Sequence, residues 1–385
     1  MNIKNIKFYF FTLSMLPFLY FSLSSCGKIA GYSISGTTNT YNFVYFGSQG
    51  SSTINSYYLD SEGAIAVAAN AISTGGGTTN INDFVPSIDG RFLYAANKAS
   101  NNLSSYSINQ LTDTNPGTPT YKTADAAGTG VSGLAVHPNG KFIYAANSTA
   151  VTDNLSFYNV SQTTGALNSA DTTYTTTRLN PTALAISPNG NFLFIANRGT
   201  SDLSVYSVSS GTGSLNAINL SVSTGTNPED ILVHPSGLFL YSLSTGTNRI
   251  YAHGISAGGV LSVLSPSFTA TAAGPKKIAI TANGKYLYVS NNTDNTLGGY
   301  SVNLTTGLLT PISLSPFAGP VGAGVYALAI TQDSKFLIVS GDTSAKGYVY
   351  QIDAATGNIS QVGNEITLGG SNPRTIEIIP LSAVE

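Results

Sequence analysis

Short apolar runs separated by polar turns recur along the chain, and the stretch Asn180–Leu215 shows the unit most clearly. It holds an apolar run, an Asn-Gly turn, a second apolar run, a polar loop and a third run with Tyr206, after which Thr-Gly-x-Leu opens a fourth. Short runs rich in β-branched and aromatic residues are typical of strands, and Asn-Gly between two of them indicates a hairpin. The unit therefore predicts a four-stranded antiparallel sheet.

The unit recurs with a nearly constant period. Aligning the copies on one large residue near the end of the second run gives anchors spaced by 49, 50, 50, 47, 47 and 50 residues. The anchors are Tyr45, Tyr94, Tyr144, Phe194, Tyr241, Tyr288 and Ile338. A fixed period near fifty with four strands per copy is the signature of propeller blades, so seven copies predict seven blades.

Two further positions repeat within the unit. The third run carries an aromatic residue or, in the fifth copy, histidine: Tyr57, Tyr106, Tyr158, Tyr206, His253, Tyr300 and Tyr350. A glycine precedes the fourth run in every copy except the second, where a longer Pro-rich loop obscures it: Gly63, Gly165, Gly213, Gly259, Gly307 and Gly357. These positions support four strands in each copy.

The two ends of the repeat complement each other. The first copy begins at its second strand, with Phe43-Val44-Tyr45, whereas residues 372–380 match a first strand with no blade after it. A C-terminal strand that completes the N-terminal blade closes the ring and removes the free sheet edges. We therefore expect residues 41–385 to form an all-β, seven-bladed β-propeller with four-stranded antiparallel blades, closed by the C-terminal strand.

The N-terminal region has the pattern of an exported lipoprotein. Two lysines precede the apolar stretch Phe8–Leu23, which is short of the roughly 20 residues that span a membrane. Leu-Ser-Ser-Cys at its end resembles the lipobox of bacterial lipoproteins, which implies acylation (palmitate) of Cys26. We interpret residues 1–25 as a signal peptide and 26–40 as a flexible tether. The chain would then be lipid-anchored to the bacterial cell envelope, periplasmic or surface-exposed.

Composition narrows the function classes. Charged residues make up 9% of the chain and the formal net charge is −2, without a Lys/Arg run, which argues against a nucleic acid partner. Cys26 is the single cysteine, so no disulfide can form within the chain. The sequence shows neither a phosphate-binding Gly-rich loop nor paired-His metal spacing. We expect a monomer with no metal and no cofactor.

Four charged residues interrupt the small residues of the first strands. These strands alternate between large apolar and mostly small positions, as expected for the innermost strand of a blade. Asp83, Asp230, Lys277 and Glu377 fall in the small set and should lie near the central channel. They are interpreted either as hydrated channel charges that pair loosely with one another, which we favour, or as part of a site.

A second polar set should surround the channel mouth, on the face opposite the Asn-Gly turns. Asparagines that end the second strands and charged residues that follow them or enter the first strands fall there. The candidates for ligand binding are Asp83, Asn197, Arg198, Glu229, Asn291, Arg374 and Glu377. The candidates for catalysis, if the protein is an enzyme, are Asp230, Arg198 and Lys277.

The repeat resembles a known family. The units SPNGNFLFIANRGTSDLSVYSV and ANGKYLYVSNNTDNTLGGYSV look like those of the seven-bladed lactonase propellers, which include 6-phosphogluconolactonases and muconate-cyclising enzymes, and like the YVTN-repeat propellers. The resemblance spans all seven copies and implies the propeller fold. It also implies a lactonase site that uses Arg, His and Glu to polarise a carbonyl and activate water.

The positions of that site differ here. Where the family tends to carry Gly-Pro-Arg-His, this chain has Asn227-Pro228-Glu229-Asp230, and Ser244-Thr245 stands in place of Asn-Glu. The Pro-His of an earlier blade is replaced as well, by Val131-Ser132 or Pro181-Thr182. Only Asn197-Arg198 and Pro373-Arg374 match family residues at the mouth. Fold carries over more readily than chemistry.

Two functions follow from these observations. The preferred interpretation is an exported, lipid-anchored propeller that binds an unidentified protein or small molecule through the polar face at the channel mouth. The alternative is a lactone hydrolase with a rearranged site, using Asp230 or Glu229 as base and Arg198, Lys277 or Arg374 as electrophile. A calcium-dependent hydrolase is a third possibility, weakened by the small number of carboxylates that reach this face.

Overall fold

The computed structural model describes residues 40–73, 80–149, 154–169, 178–320 and 322–382. Within these residues the regular secondary structure consists of β-strands, which form seven antiparallel sheets. The prediction of an all-β, seven-bladed propeller is confirmed. The predicted signal peptide, Cys26 and nearly all of the tether lie outside the described residues; the first strand already includes Thr40. No helix among the described residues is long and apolar enough to cross a membrane.

Each blade is a four-stranded sheet, numbered here along the chain, with an extra short strand in blade 6. Blade 1 contains β1 (Thr40–Ser48), β2 (Thr53–Leu59) and β3 (Ile65–Ser73); blade 2, β4 (Ile81–Pro86), β5 (Phe92–Asn97), β6 (Asn102–Ile108) and β7 (Pro119–Ala126); blade 3, β8 (Val131–Val136), β9 (Phe142–Asn147), β10 (Leu155–Val160) and β11 (Leu167–Ser169). Blade 4 contains β12 (Pro181–Ile186), β13 (Phe192–Asn197), β14 (Asp202–Val208) and β15 (Leu215–Ser223); blade 5, β16 (Pro228–Val233), β17 (Phe239–Ser244), β18 (Arg249–Ile255) and β19 (Leu261–Ala270). Blade 6 contains β20 (Pro275–Ile280), β21 (Tyr286–Asn291), β22 (Thr296–Val302), β23 (Leu309–Pro311) and β24 (Phe317–Ala318); blade 7, β25 (Val325–Ile330), β26 (Phe336–Gly341), β27 (Lys346–Ile352) and β28 (Ile359–Thr367), and β29 (Pro373–Ser382) follows.

The C-terminal strand closes the ring as the sequence predicts. β29 pairs antiparallel with β1, so blade 1 has the order β29-β1-β2-β3 and its innermost strand comes from the other end of the chain. Pairing runs from Thr40↔Ser382 to Ser48↔Pro373. Ile379 and Leu381 of β29 are buried in the core that blade 1 shares with blade 2. Closure therefore joins the chain ends through both backbone pairing and apolar burial.

The anchor tyrosines recur because they link neighbouring blades. The Tyr45 hydroxyl donates to the carbonyl of Gly117, which lies in the turn before the outer strand of blade 2, at 2.8 Å. The same bond joins three other blade pairs, Tyr144 to Gly213, Tyr241 to Gly307 and Tyr288 to Gly357. Gly117 has a φ of +73°, which a side chain disfavours. It is the repeat glycine that the sequence of the second copy obscured.

The third-strand position makes a similar link in the other direction. Tyr57, Tyr158 and Tyr300 donate to backbone carbonyls at the end of the preceding blade's outer strand, namely those of Thr367, Ala126 and Ala270. His253 replaces tyrosine in blade 5, and its Nε2 contacts the Ser223 carbonyl of blade 4 at 3.3 Å. His253 is therefore a scaffold residue that takes over the tyrosine's role.

The other two histidines also tie blades together. Nδ1 of His137 accepts from the backbone N–H of Asn139, which leaves Nε2 as the donor to the Gly190 carbonyl of blade 4 at 3.0 Å. His234 makes the same bond to Gly284 of blade 6, and burial lowers its pKa. These histidines serve the packing of adjacent blades.

The two faces of the disc carry different loops. Because strands alternate in direction, the turns joining first to second and third to fourth strands share one face, which we call the turn face. The loops leaving the second strands and the segments entering the first strands share the opposite face, the mouth face. The mouth face also carries a set of polar and charged residues.

Candidate functional site

The entrance of each first strand is irregular, and this irregularity presents side chains at the mouth. The pairing of first with second strand shifts register at the entrance in every blade, for example between Pro228 and Asp230 in blade 5. Such a bulge bends the strand and re-aims its side chains. Two successive residues of the first strand, such as Glu229 and Asp230, therefore lie near the end of the channel at the mouth face.

A polar cavity of about 210 Å³ opens at the mouth face. It is lined by Gln49, Asn82, Lys98, Ser132, Ser148, Asn180, Thr182, Arg198, Glu229, Lys277, Tyr326 and Arg374. Four of these side chains are cationic and one is anionic. The cavity therefore suits a small, polar ligand that forms hydrogen bonds.

Glu229 and Arg198 form an ion pair across the boundary between blades 4 and 5. Arg198 Nη1 lies 3.2 Å from Glu229 Oε2, and the Glu229 side chain is only 15% exposed. Among the described residues no donor makes a well-aligned hydrogen bond to that oxygen. The pair thus holds Glu229 at the cavity wall, with Oε2 buried against Arg198.

Lys277 supplies a fixed positive charge at the same cavity. Its Nζ lies 3.6 Å from Asp230 Oδ1. Burial by itself would lower the pKa of Lys277, but Asp230 and Asp83 raise it above its ordinary value, so the ammonium stays charged. The cation is available to a ligand at neutral and alkaline pH.

The two aspartates are partly structural. Asp83 Oδ2 accepts the backbone N–H of Leu134 at 2.9 Å, and Asp230 Oδ2 accepts that of Ile278 at 3.0 Å, so each caps the bulged first strand of a neighbouring blade. Burial raises the pKa of both carboxyls, and Lys277 partly offsets this. Neither carboxyl lines the cavity itself.

Arg374 forms the wall on the side of the closing strand. Its Nη1 donates to Gln49 at 2.6 Å and its Nη2 to Asp342 at 3.2 Å, while the guanidinium lies 4.9 Å from the centre of the Tyr326 ring. Lys276 approaches the same ring at 6.0 Å. Held by two partners and stacked on an aromatic face, Arg374 is rigid enough to position a ligand.

Glu377 lies one layer deeper, away from the cavity. It pairs across the sheet with Tyr45, and the equivalent position is apolar in other blades, for example Ala135 opposite Tyr144 and Ala185 opposite Phe194. Burial raises the pKa of Glu377 to about 8, with a further contribution from Asp83. The side chain is therefore a protonated carboxyl at neutral pH, in an apolar layer of the channel.

This burial predicts a pH-dependent stability. Between the ordinary Glu value of 4.5 and about 8 the folded state keeps the proton that the unfolded state has lost, so stability falls as pH rises. Removing the titration with Glu377→Gln should raise Tm relative to wild type at pH 8.5 and have little effect at pH 5. The gain at pH 8.5 should be on the order of a few kcal/mol, since each pH unit between the two pKa values corresponds to about 1.4 kcal/mol.

Thermal unfolding at the two pH values checks this expectation. Glu62→Gln is the matched control, because this carboxylate lies exposed in a turn. The control should keep the wild-type pH dependence. Equal Tm differences for Glu377→Gln at both pH values would contradict a raised pKa in the channel.

Asn197 and Asn291, expected at the polar rim, are placed elsewhere. Both are fully buried. Asn197 Nδ2 donates to Asp202 and Ser204 of the next strand, and Asn291 Nδ2 donates to Thr296. Their carboxamides fix the loop between second and third strands, and neither residue is among those that line the cavity.

The structure adds residues that the sequence analysis did not single out. Lys98 and Gln49 occupy the repeat position of Arg198, directly after the last residue of the second strand, and Tyr326 occupies that of Glu229 in the first strand. The repeat alignment could have identified these residues, because residues at equivalent positions of the blades lie on one ring around the channel. Lys98 has no ion-pair partner among the described residues, which leaves its charge open to a ligand.

No group of three or more His, Cys, Asp or Glu that could hold a metal ion occurs in the described part of the chain.

The fold and the cavity define a class: a seven-bladed propeller with a polar, cation-rich pocket at the mouth of its channel. Comparison of the sequence with family models identifies the group more closely. The family described as "Lactonase, 7-bladed beta-propeller" matches residues 111–229, 171–256, 217–326 and 254–378, which together span more than half of the chain. The protein belongs to this lactonase propeller family. No curated protein matches the sequence significantly.

Solved structures agree on the fold. A putative 6-phosphogluconolactonase from Bacteroides fragilis is 20% identical, with a TM-score of 0.75, and the match covers 90% of this chain and 100% of that one. One from Bacteroides uniformis is 19% identical, with a TM-score of 0.74, over 88% and 99% of the two chains. The periplasmic gluconolactonase PpgL from Pseudomonas aeruginosa is 17% identical, with a TM-score of 0.72, over 89% and 99%.

Proposed function

We propose that the protein is a lactone hydrolase that acts on a small polyhydroxylated lactone at the mouth cavity. Membership of the lactonase propeller family favours this function over the binding module that the sequence analysis preferred. The observation that carries the proposal is the joint presence of Glu229 and Lys277 on the wall of one small cavity. Hydrolysis of a lactone needs a base for water and a positive charge for the carbonyl oxygen.

Glu229 is the proposed general base. Its side chain lines the cavity, and Arg198 holds the carboxylate through Oε2 at 3.2 Å. Water held by the Glu229 carboxylate at the cavity wall would attack the lactone carbonyl carbon while its proton passes to Glu229. When the tetrahedral intermediate collapses, the ring C–O bond breaks and the leaving alkoxide takes the proton back, giving a hydroxy acid.

Lys277 is the proposed electrophile. Negative charge develops on the carbonyl oxygen during attack, and a charged donor at that point stabilises the transition state more than the ground state. Asp230 and Asp83 keep the Lys277 ammonium charged and fix its position. Arg198 and Arg374, the other two candidate cations, are occupied by Glu229 and Asp342 and would orient the substrate.

The size and lining of the cavity indicate the kind of substrate. A volume of about 210 Å³ is below the roughly 300–1,000 Å³ usual for drug-sized ligands. The lining offers hydroxyl, carboxamide and cationic groups, which match the hydroxyl groups of a sugar lactone. Tyr326 adds one aromatic surface.

The test is a lactone panel. The purified protein should accelerate acid release from five- and six-membered aldonolactones above the spontaneous rate, measured with a pH indicator, with and without added calcium. Lactone binding without acceleration would instead favour the binding module. If the protein neither binds nor hydrolyses any lactone of the panel, that result contradicts the assignment of this cavity as the site.

A further inference from the structure

Both ends of the described chain leave the propeller on the turn face. Thr40 begins β1 and Ser382 ends β29, the two residues are cross-strand partners, and their hydroxyls lie 3.1 Å apart. β1 is a second strand and β29 a first strand, so this pair occupies the position that a first-to-second turn takes in the other blades. The cavity opens on the opposite face. Any attachment through the N-terminal segment therefore acts on the face away from the cavity.

The turn face also exposes large apolar side chains. Ile88 and Leu238 lie in first-to-second turns and are 62% and 54% exposed. Val260 and Leu304 lie in third-to-fourth turns and are 52% and 47% exposed. Among the described residues only Leu179 combines comparable size and exposure with a place on the mouth face. Of the ten exposed large apolar side chains among the described residues, four lie on the turn face and one on the mouth face, and the other five lie on or beside the outer strands of the blades. The turn face is thus more apolar than the mouth face.

The sequence before Thr40 indicates what this face meets. It contains the apolar stretch Phe8–Leu23 and Cys26, followed by thirteen residues, 27–39, that are rich in Ser, Thr and Gly. A Gly/Ser-rich random coil of this length would have an average end-to-end distance of about 20 Å. A membrane attachment at Cys26 would therefore keep the turn face close to the lipid surface.

We propose that the turn face rests on a lipid membrane and that the cavity opens away from it. Burial of apolar tips at the interface, and not charge, orients the disc. Charges on this face are of both signs and partly paired, as in Arg91 with Asp89 at 2.6 Å and Lys335 with Asp333 at 3.6 Å. Neutral and anionic vesicles should consequently give the same orientation. Ligands would reach the cavity from the aqueous side.

The chain contains no tryptophan, so a single introduced tryptophan reports on its own position. Three variants of the full chain, Ile88→Trp, Leu238→Trp and Leu179→Trp, are purified from membranes in detergent and reconstituted into vesicles with brominated lipids, which quench tryptophan on contact. Leu179, 51% exposed on the mouth face, is the matched control. Each variant is also measured in detergent-free buffer without vesicles.

The reporters at 88 and 238 should be quenched several-fold more strongly than the one at 179 and should shift to shorter emission wavelengths. Equal quenching at the three positions, or stronger quenching at 179, would overturn the proposed orientation. Failure of the full chain to associate with vesicles would overturn the membrane contact itself. These outcomes do not depend on lactone turnover, so the two proposals are tested separately.

Discussion

Replacing Glu229 with glutamine is expected to lower kcat for lactone hydrolysis by about 10²- to 10⁴-fold, the usual range for loss of a general base. Glutamine preserves the size of the side chain, and its carboxamide oxygen can still accept a hydrogen bond from Arg198, although a weaker one than a carboxylate accepts. The cavity should therefore keep its shape. KM should change little, because the lost interaction acts mainly in the transition state. Steady-state kinetics with the best substrate of the lactone panel measure both parameters.

Glu365→Gln is the matched control for this experiment. It makes the same chemical change on the outer strand of blade 7, where the carboxylate is 49% exposed and pairs with Lys346. Turnover of the control should equal that of wild type. If Glu229→Gln retains full kcat while folding normally, Glu229 is not the base, and the proposed division of roles in the cavity is wrong.

Deleting residues 371–385 is expected to abolish soluble folding or to lower Tm by more than 10 °C. The deletion removes β29 and with it the buried side chains of Ile376, Ile379 and Leu381. At about 1.5–3 kcal/mol for each buried aliphatic side chain, the loss is comparable with the 5–15 kcal/mol that stabilises a typical protein. It also leaves the inner edge of β1 without a partner, which promotes aggregation.

A shorter deletion serves as the control for ring closure. Removing residues 383–385 leaves β29 intact and should preserve the solubility and the Tm of wild type. Differential scanning fluorimetry and size-exclusion chromatography compare the two deletions. If the protein lacking residues 371–385 has the same Tm as wild type, the ring closes without β29.

The blades and their links were predictable from sequence because they depend on local, periodic signals. Every copy except the split first one repeats a turn with a positive φ, as at Gly140 and Gly190, and all copies repeat a large residue near the end of the second strand. The match between residues 372–380 and a first strand was sufficient to predict closure. Tyr45 and Gly117 show the limit, because their hydrogen bond spans 72 positions and only the fold reveals it.

The charged site was predictable only in part. The repeat alignment placed Asp83, Asp230 and Lys277 near the axis, and the structure puts them in one electrostatic network. The repeat alignment did not distinguish Glu229 from Asp230. In the structure Glu229 lines the cavity, whereas the oxygens of Asp230 contact the Ile278 N–H and Lys277. That difference depends on the bulge at the entrance of the first strand, which no residue pattern encodes directly.

The asparagines show a different limit. Asn197 and Asn291 end their strands at the mouth face, and an exposed, turn-capping role was the natural expectation for that residue type. In the structure both are buried and donate to the adjacent third strand. Whether a strand-end side chain points to solvent or into its own blade depends on the course of the following loop, which is a tertiary property.

The sequence by itself determined the number of blades, their strand order and the closure of the ring, because a four-stranded unit cannot bury its faces alone and must stack on its copies. Tertiary structure decided which charges meet at the channel mouth. Arg198 and Glu229 come from adjacent blades, and Lys277 faces Asp83 from a blade distant in sequence. Coulombic pairing and burial depend on distances across the ring, and those distances exist only once all seven blades are assembled.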